Sequence, residues 1–282
     1  MKSNISKVLF FALILHSGLS AFGQIEKLMP REKNATSAPL GYYEYLPDNY
    51  DSRDQWPLLI FLHGIGEKGS GNLPDLNKVL NHGPARLIKN GKSFESIVVV
   101  PQTAGGWGAS TVDAVIQYCI NTYQVDENRI YLTGLSLGGG ACWTFAVNYP
   151  DRLAAMVPIA TSSTVFDAHK IKDMSVWAFH NRNDGVCAVG KTLGWVDGMI
   201  AAGGDPKLTI YEKNGHNAWT QTYNNQNMWD WMFSQNKQKS GILIHSFKSS
   251  TSHLIRNKTN TIVFRAQLED LHSQITQVEL NL

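Results

Sequence analysis

The sequence of 282 residues is poor in cysteine, with only Cys119, Cys142 and Cys187. So odd and sparse a set makes no disulfide framework, and no CxxC or Cys/His spacing marks a zinc site. Charge of one sign is also missing. The chain sets 25 Lys+Arg against 23 Asp+Glu, a formal net charge of +2 that gives no polyelectrolyte drive toward DNA or RNA. A membrane-spanning helix needs about 20 apolar residues, and the run from Val8 to Leu15 is much shorter. No Gly-X-Y repeat, no G-x-x-x-x-G-K-[ST] loop and no G-x-G-x-x-G opening a helix after the first strand is present, so collagen-like and nucleotide-binding classes drop out. What remains is 43% hydrophobic and 17% charged, the balance of a folded chain long enough to bury a sizeable core.

Lys2 and Lys7 precede the apolar run, and the small-residue spacing Ala21-Phe22-Gly23 follows it, so residues 1–23 read as a cleaved secretory signal peptide. A secreted or periplasmic protein without a permanent membrane span is expected. From about residue 40, short β-rich runs alternate with helical stretches. Strands are predicted at Tyr42 to Leu46, Pro57 to Leu62, Ile97 to Val100, Arg129 to Thr133, Ala155 to Ala160, Ser175 to Phe179 and Lys207 to Glu212. Helices are predicted at Ala109 to Tyr123, Leu137 to Asn148, Gly190 to Ala201 and Gln226 to Phe233. Cys119 and Cys142 fall on apolar helix faces, where a free thiol acts as a small hydrophobe. Continuous apolar strands separated by helices imply an α/β fold with a mostly parallel sheet covered on both faces, and chemistry at the carboxyl ends of its strands.

One motif lies at such an end. Gly134-Leu135-Ser136-Leu137-Gly138 matches G-x-S-x-G, with a predicted strand running into it and a predicted helix running out. That context makes Ser136 a candidate nucleophile, with the free N–H groups and positive dipole end of the helix pointing at it. A serine needs a base, and the base needs a carboxylate to fix its tautomer, in the chain order Ser, Asp/Glu, His for this elbow. His216, in a glycine-bearing loop just past the strand Lys207 to Glu212, is the expected base; His245, His253 and His272 lie in the tail. Asp184 follows the strand Ser175 to Phe179 and is the expected acid. Asp173, Asp197 and Asp205 sit before strands or within a helix.

The segments Phe61-Leu62-His63-Gly64-Ile65-Gly66-Glu67-Lys68-Gly69, Gly134-Leu135-Ser136-Leu137-Gly138-Gly139, Trp177-Ala178-Phe179-His180 with Asp184, and Gly215-His216-Asn217-Ala218-Trp219 together resemble the α/β-hydrolase superfamily. More narrowly, they are similar to secreted bacterial esterases of the phospholipase/carboxylesterase and feruloyl or acetyl-xylan esterase type, some labelled predicted peptidases. The resemblance covers roughly residues 38 to 235. It implies a three-layer α/β-hydrolase sandwich and a serine esterase needing neither metal nor cofactor, acting on small-molecule or polymer-linked esters. Three positions depart from the pattern: Asn181 stands where a glycine is usual, and Cys187 and Ala188 replace a Val-Pro. One oxyanion donor is expected from the amide of Leu137, the residue after the nucleophile. The resemblance implies Ile65 for the other, with Gly66 second. Trp107 and Trp219, placed near strand ends, are candidate pocket walls. A serine peptidase on the same fold and a non-catalytic binding module of a larger assembly are the competing readings.

Charge divides the chain. Residues 1–230 hold 19 Lys+Arg and 20 Asp+Glu, whereas residues 231–282 hold 6 and 3. The basic tail carries three strand-like runs without helices, Ile242 to Phe247, Thr261 to Ala266 and Ile275 to Leu280. The expected organisation is a catalytic domain over residues 24–236, followed at 237–282 by a linker and partial β-type module, an Ig-like one among the options, with too few strands to close a sandwich.

Overall fold

The computed structural model describes residues 27–237 and the backbone of two short strands near the C-terminus. The chain divides into two compact units, Met1–Ser240 and Gly241–Leu282. The predicted signal peptide and the predicted strand Ile242 to Phe247 lie outside the described residues.

The first unit is built on β3 (Trp56–Leu62), β4 (Ile97–Pro101) and β5 (Val125–Leu135), continued by β6 (Ala155–Ile159), β7 (Ser175–Asn183) and β8 (Lys207–Asn214). These strands run parallel in the spatial order β4-β3-β5-β6-β7-β8. On the β4 side, β2 (Tyr42–Tyr45) and then β1 (Met29–Arg31) add antiparallel strands, completing eight. All seven residues of β3 are buried, as a central parallel strand covered on both faces requires.

Strict alternation sends the two sets of β3 side chains to different cores. Leu58, Ile60 and Leu62 pack against α2 (Ala109–Thr122), α3 (Leu137–Asn148) and α4 (Gly190–Ala201), through residues such as Val115, Trp143 and Trp195. Leu59 and Phe61 face α1 (Gly83–Lys89), α5 (Trp219–Tyr223) and α6 (Gln226–Ser234), meeting Ala85, Tyr223 and Trp229. The result is a helix-sheet-helix sandwich, the α/β-hydrolase fold. Burying each large side chain contributes roughly 1.5–3 kcal/mol. Cys119, Cys142 and Cys187 are free and buried, and burial pushes the thiols of Cys119 and Cys142 well up from their ordinary range.

Five strands extend past their predicted ends, β5 and β7 the furthest. β5 starts at Val125, not Arg129, because its polar opening residues Asp126, Glu127 and Asn128 hide the pattern, and β7 runs on to Asn183. β1, α1 and α5 have no counterpart in the sequence reading. Among the described residues no helix is long and apolar enough to cross a membrane. In the second unit, β9 (Thr261–Phe264), inside the second strand-like run of the tail, pairs antiparallel with β10 (Val278–Asn281), which overlaps the third and ends one residue beyond it.

Candidate active site

β5 ends at Leu135 and α3 begins at Leu137, leaving Ser136 alone at the turn with φ 53° and ψ −112°. A non-glycine residue in such a conformation costs about 1–3 kcal/mol and persists only where its surroundings fix it. Here the Ser136 amide donates to the Ile159 carbonyl at 2.9 Å, and its own carbonyl accepts from the Gly140 amide at 2.9 Å. The flanking glycines are dictated by contact. A Cβ on Gly138 would stand 2.0 Å from the Leu62 carbonyl oxygen, and one on Gly134 would stand 2.6 Å from the Gly138 carbonyl group.

The loops after β7 and β8 converge on this turn. His216 Nε2 lies 2.8 Å from Ser136 Oγ, and His216 Nδ1 lies 2.6 Å from Asp184 Oδ2. Asp184 is fully desolvated at its side chain. Burial pushes its carboxyl up, but hydrogen bonds from His216 and the amides of Cys187 and Val186 outweigh that and hold it below the usual carboxylate range. An ionised Asp184 only accepts, so Nδ1 of His216 carries the proton and the Nε2 lone pair faces the Ser136 hydroxyl. The base-bearing loop is tied down from β7: Asn181 Nδ2 donates to the Gly215 carbonyl at 2.8 Å, and the Gly215 amide donates to the Asn183 carbonyl at 3.0 Å. The departure from glycine at position 181 thus supplies a strut.

A second histidine holds the acid. His180 Nε2 lies 2.8 Å from the Cys187 carbonyl oxygen and 3.1 Å from Asp184 Oδ2, and its Nδ1 lies 2.7 Å from Thr192 Oγ1. A carbonyl cannot donate, so Nε2–H is the donor and Nδ1 accepts from the Thr192 hydroxyl. Burial lowers the His180 pKa, consistent with this neutral form. In sequence His180 stands at the end of Trp177-Ala178-Phe179-His180, where the polar run Asn181-Arg182-Asn183 begins, and nothing there signals its contact with the acid.

The loop after β3 carries the remaining candidates. Ile65–Glu67 form a single 3-10 turn, and the amides of Ile65, Gly66 and Leu137 donate to no acceptor among the described residues. The turn leaves both Ile65 and Gly66 free as the second donor. His63 anchors this loop, with Nδ1 2.6 Å from the Gly64 carbonyl and Nε2 accepting from the Thr103 amide at 3.1 Å; burial lowers its pKa to about 4. Glu67 in the same loop is buried beside His82 at 3.3 Å, and burial raises its pKa.

The two tryptophans take different places. Trp107 packs against the His63 ring with centroids 4.8 Å apart and donates its indole N–H to the His63 carbonyl at 3.0 Å, bracing the loop. Trp219 meets His216 edge to face with centroids 5.2 Å apart and also meets His82 at 5.6 Å.

Comparisons with known proteins point to a carboxylic ester hydrolase. A family model described as esterase PHB depolymerase matches residues 99–203, a stretch that includes Ser136 and Asp184. Feruloyl esterase D of Neurospora crassa is 27% identical over 165 residues, 54% of this chain and 56% of that protein. A bifunctional acetylxylan esterase/xylanase of Neocallimastix patriciarum is 26% identical over 166 residues, 55% of this chain and 23% of that protein. A solved thermostable esterase superposes with a TM-score of 0.62 at 27% identity, covering 75% of this chain and 64% of its own. The chain thus spans about half the length of the first of these curated relatives and a quarter of the second.

Proposed function

We propose that the protein is a serine hydrolase of carboxylic esters, with Ser136 as nucleophile, His216 as proton shuttle and Asp184 as the group that orients it. The unbroken hydrogen-bond chain from Ser136 Oγ through His216 to Asp184, ending on a strained elbow, carries this reading. Ser136 Oγ attacks the ester carbonyl as its proton passes to His216 Nε2. The tetrahedral oxyanion is met by the amides of Leu137 and of Ile65 or Gly66, each worth about 3 kcal/mol. His216 then protonates the leaving alcohol, and water repeats the sequence in reverse to release the acid from the acyl-serine.

Similarity to a feruloyl esterase and to an acetylxylan esterase/xylanase supports carbohydrate-linked acyl groups as the substrate class. The lysine-flanked apolar run at residues 2–15, with small residues up to 23, supports export before action. The charge change near residue 231 supports reading 24–236 as the catalytic part and 237–282 as a separate β-type piece. Hydrolysis of p-nitrophenyl acetate, a feruloyl sugar ester, acetylated xylan and a peptide p-nitroanilide tests the reading. Turnover of esters well above the anilide, abolished in Ser136→Ala, is expected. Ester turnover that survives in Ser136→Ala would refute it.

A further inference from the structure

Bordering Trp219 lies a groove of about 120 Å³ whose lining also includes His82, Arg86, Asn90, Thr220 and Asn224. A cavity of about 150 Å³ takes one six-membered ring, so this groove seats a single ring that can protrude into solvent. Its place is chemically informative. Trp219 separates it from His216 by one aromatic contact, and His216 is the group that hands a proton to the departing alcohol. That contact puts the groove one side chain away from the group that protonates the leaving alcohol.

The lining holds one fixed positive charge and no carboxylate. Arg86 is exposed, its guanidinium donates to the Asn81 carbonyl at 3.3 Å, and among the described residues it pairs with no Asp or Glu. His82 adds no second cation near neutral pH, because burial and then the Arg86 charge lower its pKa. Asn90, Thr220 and Asn224 are exposed and supply neutral donors and acceptors suited to hydroxyls. The Trp219 indole gives a flat apolar wall, and its buried N–H has no hydrogen-bond partner among the described residues. A guanidinium fork matches a carboxylate in two hydrogen bonds. A phosphate dianion would leave half its charge unmet by this single cation.

We infer that this groove is a subsite for an alcohol moiety that is an acidic sugar, a uronate whose carboxylate meets Arg86 while its ring lies on Trp219. The inference rests on the esterase reading and names its substrate more closely. The test uses two feruloyl esters joined through the same sugar hydroxyl, one on methyl galacturonoside and one on methyl galactoside. At low salt the wild type is expected to favour the uronate ester by about tenfold in kcat/KM, the scale of one partly exposed charge-assisted contact. In Arg86→Gln the uronate-to-neutral ratio falls to about one, and because it is taken within each enzyme, any general loss cancels. Adding 1 M salt to the wild type narrows the ratio as well. A wild-type ratio near one, or a preference that persists in Arg86→Gln, would overturn the subsite while hydrolysis of p-nitrophenyl acetate left the esterase reading standing. Failure of the wild type on p-nitrophenyl acetate as well would overturn both.

Discussion

The serine end and the acid end of the hydrogen-bonded chain are held by different means. At Ser136 the backbone does the holding, with a positive φ, close-packed glycines against Leu62 and backbone hydrogen bonds, one donated to Ile159 and one accepted from Gly140. At Asp184 polar side chains and loop amides do it, through His216, His180, Val186 and Cys187, in a loop where Val186 is 72% exposed and a Cβ on Gly185 would meet nothing within 4 Å. Shape fixes the nucleophile, and charge with hydrogen bonding fixes the acid. Substitutions at the two ends should therefore fail in different ways.

The largest effect belongs at the acid end and should spare the fold. Asp184→Asn keeps the volume but replaces an acceptor with an amide that favours the wrong tautomer of His216, so kcat should drop by about 10³–10⁴-fold, with circular dichroism unchanged. A loss below tenfold would mean that Asp184 does not orient the base. At the serine end the damage should be structural. Gly138→Ala drives a methyl into the Leu62 carbonyl and should cost more than about 4 kcal/mol in urea unfolding, whereas Gly185→Ala should stay within about 0.5 kcal/mol. Equal costs at the two glycines would erase the contrast.

Acid should loosen both ends. His63 beside the serine and His180 beside the acid are neutral in the folded protein with pKa values below 6.5, so the unfolded chain binds protons first as pH falls. Stability is full above about 6.5 and declines on acidification toward 4, by about 3 kcal/mol for His63. Asp184, held low, contributes above the ordinary carboxylate range and is lost only as pH falls through its folded value. Urea melts from pH 8 to 4 should show a shallower slope in His63→Gln, and an unchanged slope would contradict the burial argument. The smallest effect is strain relief. Ser136→Gly accommodates φ 53° without a side chain and should unfold at higher urea than Ser136→Ala by about 1 kcal/mol.

The same contrast explains what could be read from sequence. The elbow was legible because its constraint is steric and local: Gly134, Ser136 and Gly138 must be adjacent, and β5 and α3 announce themselves by apolar pattern. Asp184 and His216 followed from chain order and strand ends. The supporting shell was not legible. Asn181, His180, Thr192 and the His63–Trp107 brace act across long sequence gaps, and nothing in spacing ties Asn181 to Gly215 or Thr103 to His63. α1 and α5 are short, with Pro84 opening one and mixed polar residues in the other, so neither builds an amphipathic period. Glu67 reads as a surface charge until the fold buries it next to His82.

The central claim is that Ser136 is activated by His216 in the folded protein. Labelling with a fluorophosphonate, followed by peptide mass spectrometry, tests it most directly. A phosphonyl adduct on Ser136 is expected, forming at least about 100-fold more slowly in His216→Ala. A folded protein in which Ser136 stays unmodified, or is modified equally fast without His216, would contradict the account.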